Sequence, residues 1–340
     1  MVPLLTTSGR KLMRKLLIAL ACTLLTSGAA ATETWDMATP YPDFEFHTRN
    51  IRQFAQDVSD LSGKKLEIKV HSGQSLIRHP EIKNAIRGRQ IPVGEFLMAR
   101  LANEHPIYEL DALPFFASSY SEALALWEAQ RDFVQQHLGK QGLRVLFAVP
   151  WPPQGLFTKQ EVTEVDQLKG LRFRTYNTVT ERMARQIGMV PTQTEATEMA
   201  TAFITGRIDA MMTSPSGGAK NKAWDWSTHF YHVQAWLPKN LIVVNQRVFD
   251  GLDKDVQEAV MQAAAKAEKR GWEMSEIDTK EGVDLLVQGG MKGITPSAEL
   301  VKGFKEVGKT LTDEWLQNAG EEGKAVVDAY EKKLTGNGAQ

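Results

Sequence analysis

The alternation of strand, helix and strand across residues 33–70 leaves few folds open to this chain. Glu33 to Ala38 reads as a strand, and Thr39-Pro40-Tyr41-Pro42-Asp43 as a loop marked by its prolines. From about Thr48 to Leu61, apolar Ile51, Phe54, Ala55, Val58 and Leu61 recur at helical spacing until Ser62-Gly63 stops them. Lys65-Leu66-Glu67-Ile68-Lys69-Val70 then alternates as a half-buried strand does. That order is a βαβ unit, which demands a parallel sheet with helical crossovers.

The idea repeats. Pro80 to Ile86 predicts a helix, Gly88 its end, and Ile91 to Phe96 a strand. Much later Ala200 to Thr205, Gly206 and Ile208 to Met212 follow the same plan. Ala85-Ile86-Arg87-Gly88-Arg89-Gln90-Ile91 is echoed by Phe203-Ile204-Thr205-Gly206-Arg207-Ile208, which suggests two α/β domains of like architecture. The strongest interruption, Pro150-Trp151-Pro152-Pro153-Gln154-Gly155, is the first expected crossing between them. Between these lie an apolar loop, Leu113-Pro114-Phe115-Phe116, a helix from Ser121 to about Leu138 and a strand from Arg144 to Val149. A helix from Thr178 to Ile187, a strand from Asn240 to Asn245, and a helix capped by Asp253 that runs to about Ile277 or beyond complete the outline. The last is long enough to span both domains; a charged amphipathic helix follows from Ser297.

The N-terminus is different in kind. Arg10, Lys11, Arg14 and Lys15 precede a short apolar run from Leu16 to Leu25, and Ala29-Ala30-Ala31 offers a cleavage site after Ala31. This is the pattern of a secretory signal peptide over 1–31, too short and wrongly flanked for a membrane span. Cys22 has Ala19 three residues before it where a lipid-modified cysteine wants a leucine-like residue, so lipid anchoring is disfavoured. The mature chain would then have no cysteine and need no disulfides at its size. Removing the four basic residues of 1–31 from 40 leaves 36 against 41 acidic ones. A net charge near −5, with 42% hydrophobic and 24% charged residues overall, argues against nucleic-acid or anionic-membrane partners.

Enzyme signatures are missing. There is no complete nucleophile elbow (Gly73-Gln74-Ser75-Leu76-Ile77 lacks the last glycine), no phosphate-binding loop and no dinucleotide fingerprint. Only His229 and His232 have a ligand-like spacing, without a third partner, so neither a metal nor a cofactor is expected. Strand ends line the crevice of parallel sheets, which draws attention to Glu95 and to Thr213-Ser214-Pro215. Glu95 is either a solvated strand end or an acceptor for a ligand amine or hydroxyl, and Asp43 and Glu45 share that ambiguity. Trp151 either plugs the domain junction or forms a flat pocket wall there, and Trp236 belongs to an aromatic segment after Ser214.

The segment Asp166-Gln167-Leu168-Lys169-Gly170-Leu171-Arg172-Phe173-Arg174-Thr175-Tyr176-Asn177 reads as a turn, a glycine and a strand. Leu171, Phe173 and Thr175 share one face, Arg172 and Arg174 the other. The pair can be charge on an edge strand, or Arg174 can clamp an anion through its planar fork of donors. An exported, two-domain, cysteine-free α/β chain without catalytic machinery most economically closes on a small molecule by hinge motion.

In that segment, and in Leu113-Pro114-Phe115-Phe116, Gly142-Leu143-Arg144-Val145-Leu146, Glu198 with Ala202 to Ala210, and Tyr231-His232-Val233-Gln234, the chain resembles a known family. It is the periplasmic solute-binding subunit of tripartite ATP-independent periplasmic (TRAP) transporters, the DctP-like family, and the likeness covers nearly the whole mature chain. The resemblance implies an α/β, two-lobed periplasmic-binding-protein architecture with hinge strands and a long domain-spanning helix. Lobe I would take residues 32–150 plus about 240–275, and lobe II 151–239 plus about 276–335, with the ligand cleft between. Arg174 is then the carboxylate-binding arginine, and the ligand passes to a small and a large sodium-driven membrane subunit. Tyr176 and Asn177, which continue the arginine strand, and Trp151 and Trp236 join the expected site. Where acid-sugar-binding members carry a second arginine, an asparagine before a proline and an aromatic residue, this chain has Gln154, Ser214 and Ala196. Fewer charges suggest a monocarboxylate, aromatic or a 2-oxo or hydroxy acid, bound by a monomer. Three alternatives stay open: a small amine or zwitterion as ligand, a sensor that presents ligand to a receptor, and a secreted carboxylate-based hydrolase or lyase.

Overall fold

The structure, a computed structural model, describes residues 32–337; the expected signal peptide and its cleavage after Ala31 lie outside them. The chain opens with β1 (Glu33–Ala38), α1 (Phe46–Leu61), β2 (Leu66–His71), α2 (Ile82–Arg87), β3 (Val93–Leu97), α3 (Tyr120–Gly139) and β4 (Leu143–Pro150). It continues with β5 (Gly155–Thr158), β6 (Arg172–Thr175), α4 (Thr178–Ile187), β7 (Val190–Gln193), α5 (Met199–Ile204), β8 (Ala210–Thr213), α6 (Pro215–Lys220) and β9 (His229–Tyr231). β10 (Lys239–Asn245), α7 (Gln246–Asp250), α8 (Lys254–Gln288) and α9 (Ala298–Asn337) complete it.

These strands form two five-stranded sheets, ordered β2-β1-β3-β10-β4 and β7-β6-β8-β5-β9. The plan is the same in both. β1 pairs parallel with β2 and β3, as β6 does with β7 and β8. A strand that arrives by an interlobe crossing then adds antiparallel: β10 beside β3, β5 beside β8. The helix–glycine–strand echo in the sequence thus ends in β3 and β8, which hold corresponding places in the two sheets.

Residues 151–154 carry the chain from the first sheet to the second, and residues 232–238 carry it back. The two crossings are hydrogen-bonded to each other: the Trp151 N–H donates to the Pro238 carbonyl (2.8 Å), and Gln154 exchanges bonds with Trp236 (2.9 Å) and Ala235 (3.0 Å). β10 is buried along its full length because helices cover both faces of its sheet, hence its run Leu241-Ile242-Val243-Val244.

The long helix α8 runs eleven residues beyond Ile277 to Gln288, where Gly289 ends it; 35 residues span about 50 Å. Two glycines let it lie against both lobes. A Cβ at Gly271 would sit 2.5 Å from Val149 and 2.7 Å from Asn50, and one at Gly282 2.4 Å from the Ser216 nitrogen. Asp253 precedes the helix as expected but makes no side-chain cap bond. The last helix, α9, breaks at Gly320 (φ 59°, ψ −148°). The sequence division gave it to lobe II, yet it touches both lobes: Gly303 packs on Val165, while the Trp315 indole donates to the Pro106 carbonyl at 2.7 Å.

Candidate functional site

Gly170 turns the chain at φ +77° and sends it into β6, where Phe173 enters the core. The two arginines of this strand separate. Arg172 is solvent-exposed and makes a two-pronged pair with Asp209, both bonds 2.7 Å. Arg174 is 5% exposed and aims into the cleft between the lobes. Its Nε donates to the Thr194 carbonyl (3.1 Å), and its guanidinium carbon lies 4.7 Å from the centre of the Tyr176 ring. Among the described residues no carboxylate pairs with it and no acceptor takes its terminal N–H groups. Burial lowers its pKa, opposed by Tyr176, Glu195 and Tyr41, but a guanidinium stays charged at neutral pH. Among the described residues it is a buried cation with no carboxylate paired to it.

The cavity it faces holds about 730 Å³ of empty space, its open mouth included. Trp151, Gln154, Tyr176 and Ala196, four other residues expected from the sequence, line it too. Trp151 is a wall as well as a plug. Its ring packs against Tyr41 (centroids 4.8 Å) and His47 (4.2 Å), and its indole N–H donates to Asn240 at 3.1 Å. Gln154 spends its amide N–H on the Pro152 carbonyl (2.7 Å). Burial pushes the Tyr176 hydroxyl up to about 12; it sits beside the Trp236 indole without closing a hydrogen bond to it.

The other charges on the wall have partners. Arg100 pairs with Glu195 at 3.2 Å and also donates to the Tyr176 carbonyl at 3.3 Å. Glu45 pairs with Lys220 at 3.3 Å, and Lys220 with Asp278 at 2.8 Å. Burial raises the pKa of Glu45, an effect that Lys220 opposes. His79 accepts the Leu97 N–H on Nε2 (3.2 Å), so its neutral form carries the proton on Nδ1, 3.8 Å from Glu195. Burial first, then Arg100, holds its pKa well below the ordinary value, and the ring is a neutral donor at pH 7.

Four expected residues do not line the cavity. Glu95 lies inside β3 instead of at its end, because the strand runs on to Leu97; fully buried, it accepts from Thr39 and from Asn240 (2.8 Å) and has His47 at 3.4 Å. Asn177 and Ser214 are helix caps, accepting from the Thr180 and Gly217 N–H groups at 2.8 and 2.9 Å. Trp236 is buried behind Tyr176. Sequence reasoning missed Tyr41, His79, Arg100 and Glu195 as wall residues. The first and third follow the ends of β1 and β3, so the strand-end rule, applied one loop further, would have found them.

Known proteins share this fold. A family model described as bacterial extracellular solute-binding protein, family 7 (DctP), matches residues 41–318. DctP6 of Bordetella pertussis, an extracytoplasmic solute receptor binding pyroglutamic acid, is 43% identical, with a TM-score of 0.87 over 88% of this chain and 99% of its own. DctP7 of the same organism, also binding pyroglutamic acid, is 40% identical with a TM-score of 0.86 over the same shares. A marine metagenome TRAP solute-binding protein specific for pyroglutamate is 37% identical, again at 0.86 and over 88% and 99% of the two chains.

Proposed function

The chain belongs to the DctP family of bacterial extracellular solute-binding proteins, and from that premise we propose that its cleft captures pyroglutamate and delivers it to a TRAP membrane transporter. The relatives are receptors, not enzymes, so the work of the site is binding. Family members are periplasmic, and among the described residues no helix is long and apolar enough to cross a membrane.

One observation carries the choice of ligand: Arg174 is the cation on the cavity wall that has no counterion among the described residues, while Arg100, Lys220, Glu45 and Glu195 are paired. The site therefore asks for one negative charge on an otherwise neutral molecule. Pyroglutamate is such a molecule, since its lactam removes the ammonium group of an amino acid. Its carboxylate would take the two free prongs of Arg174, its ring would lie against Trp151, and the His79 Nδ1–H would serve the lactam carbonyl. A zwitterion or amine fits less well, because Glu45 and Glu195 already have cations beside them.

Titration calorimetry with L-pyroglutamate, L-proline, L-glutamate and D-glucuronate tests this. L-Pyroglutamate is expected to bind one to one and at least about tenfold more tightly than the others, a difference of about 1.4 kcal/mol. Equal or tighter binding of L-proline or L-glutamate would overturn the lactam assignment. Delivery is tested by uptake of radiolabelled pyroglutamate into vesicles holding both TRAP membrane subunits, with and without this protein and a sodium gradient. Uptake indifferent to the protein would refute that part.

A further inference from the structure

Far from the cleft, three side chains from separate parts of the chain converge on one point. His105 precedes the 3-10 turn Pro106–Ala112, His137 lies in the last turn of α3, and Glu322 stands two residues after the break in α9. The two imidazole rings are stacked with centroids 3.8 Å apart at 30°. His137 Nε2 is 2.6 Å from one Glu322 oxygen, and His105 Nε2 is 3.9 Å from the other. One ligand atom from each residue can be chosen so that all three lie within 4.8 Å of one another.

We propose that His105, His137 and Glu322 form a binding site for a zinc ion, which ties the distal half of α9 to the first lobe. Around a tetrahedral zinc ion, ligand atoms at about 2.0–2.2 Å from the metal are about 3.3–3.5 Å apart. The observed nitrogen–oxygen separations of 2.6 and 3.9 Å bracket that spacing, and the two stacked rings must open to admit the metal. Two imidazoles and a carboxylate are the donor set that zinc favours, and the fourth position stays open to water because all three side chains are part-exposed. The backbone is already held in place: Trp315 bonds to the Pro106 carbonyl one residue from His105, and α3 packs along α9. Two local contacts must yield. The His137 Nε2–Glu322 hydrogen bond at 2.6 Å gives way to the metal, its proton leaving to solvent while a proton on Nδ1 keeps the ring neutral. His105 Nδ1 now accepts the Ile107 N–H at 3.3 Å, a long bond, and has to take up the proton that Nε2 gives to solvent when zinc binds. Spacing along the chain gives no hint of this site, since its ligands are 32 and 185 residues apart.

The test is calorimetric titration of zinc chloride into untagged, EDTA-treated protein, with thermal melting alongside. The parent is expected to bind one zinc ion with a Kd on the order of 10 µM and to melt at a higher temperature with zinc present. His137→Gln and Glu322→Gln should each weaken binding about tenfold or more and abolish the melting shift, while His229→Gln leaves both unchanged. Circular dichroism and zinc-free melting of the variants establish that they fold. Parent-like zinc binding in His137→Gln and Glu322→Gln, or no binding by the parent at 1 mM zinc (about a hundred times the expected Kd), would overturn the assignment.

Discussion

Two buried charges flank the interlobe cleft, and they are buried on different terms. In the first lobe, Glu95 is fully enclosed, and two protein donors, Thr39 and Asn240, bond to it, with the His47 ring 3.4 Å away. In the second, Arg174 is almost as deeply buried, yet only its Nε has a partner. A buried ion costs several kcal/mol unless its charge and donors are matched. Where matching comes from the chain, the group holds the fold together; where it is left open on a cavity wall, the proposed function assigns the missing partner to a ligand. Asn240 links the two cases. It donates to Glu95 and accepts from Trp151 and Tyr41, so the satisfied charge braces the wall that faces the unsatisfied one.

Removing each charge should break the comparison in opposite directions. The largest effect is expected from Arg174→Ala: a loss of about 2–5 kcal/mol in pyroglutamate binding, some thirty- to several-thousandfold by calorimetry, with no loss of ligand-free stability. Glu95→Ala should do the reverse, lowering unfolding free energy by about 2–4 kcal/mol in urea, because Asn240 and Thr39 lose a shared acceptor. A parent-like midpoint would show that the Glu95 network is dispensable.

A smaller effect concerns pH. The folded-state pKa of His79 is depressed, so its contribution to stability is fully present above about pH 6.5 and lost as pH falls below it, where the unfolded chain takes a proton that the buried ring refuses. The slope is at most about 1.4 kcal/mol per pH unit. Between about pH 6.5 and pH 5 the parent should lose more stability than His79→Gln; parallel curves would contradict the neutral assignment. Smallest of all is Arg172→Ala, two residues from Arg174 on the same strand. Its ion pair is exposed, so pyroglutamate affinity should stay within calorimetric error and the melting temperature should barely move.

Much of the fold was legible because periodicity reports burial. β1, α1, β2 and α4 fall where the apolar spacing predicts, and α8 runs past Ile277 as its pattern allows, passing through Gly271 and Gly282 before Gly289 ends it. The site was legible in the second lobe and poorly so in the first. Arg174 sits on a patterned strand whose alternation separates it from the core-facing Phe173. Tyr41, His79 and Arg100 sit on loops and short turns, where no period marks which way a side chain points. Asn177 and Ser214 misled for a physical reason: a polar residue after a strand end can serve the next helix's free N–H groups as well as a ligand, and here both do. Glu95 misled because β3 ends at Leu97, one residue past the predicted Phe96, and so holds Glu95 two residues inside its end.

The account rests on Arg174 being an open partner for a carboxylate, and the ligand can be altered where the protein is not. Calorimetric titration of L-pyroglutamate against L-pyroglutamamide, whose carboxylate is replaced by a neutral amide, isolates that contact. The amide should bind the parent at least about thirtyfold more weakly, while Arg174→Ala should largely erase the difference between the two. Equal affinity of the parent for acid and amide would contradict the account.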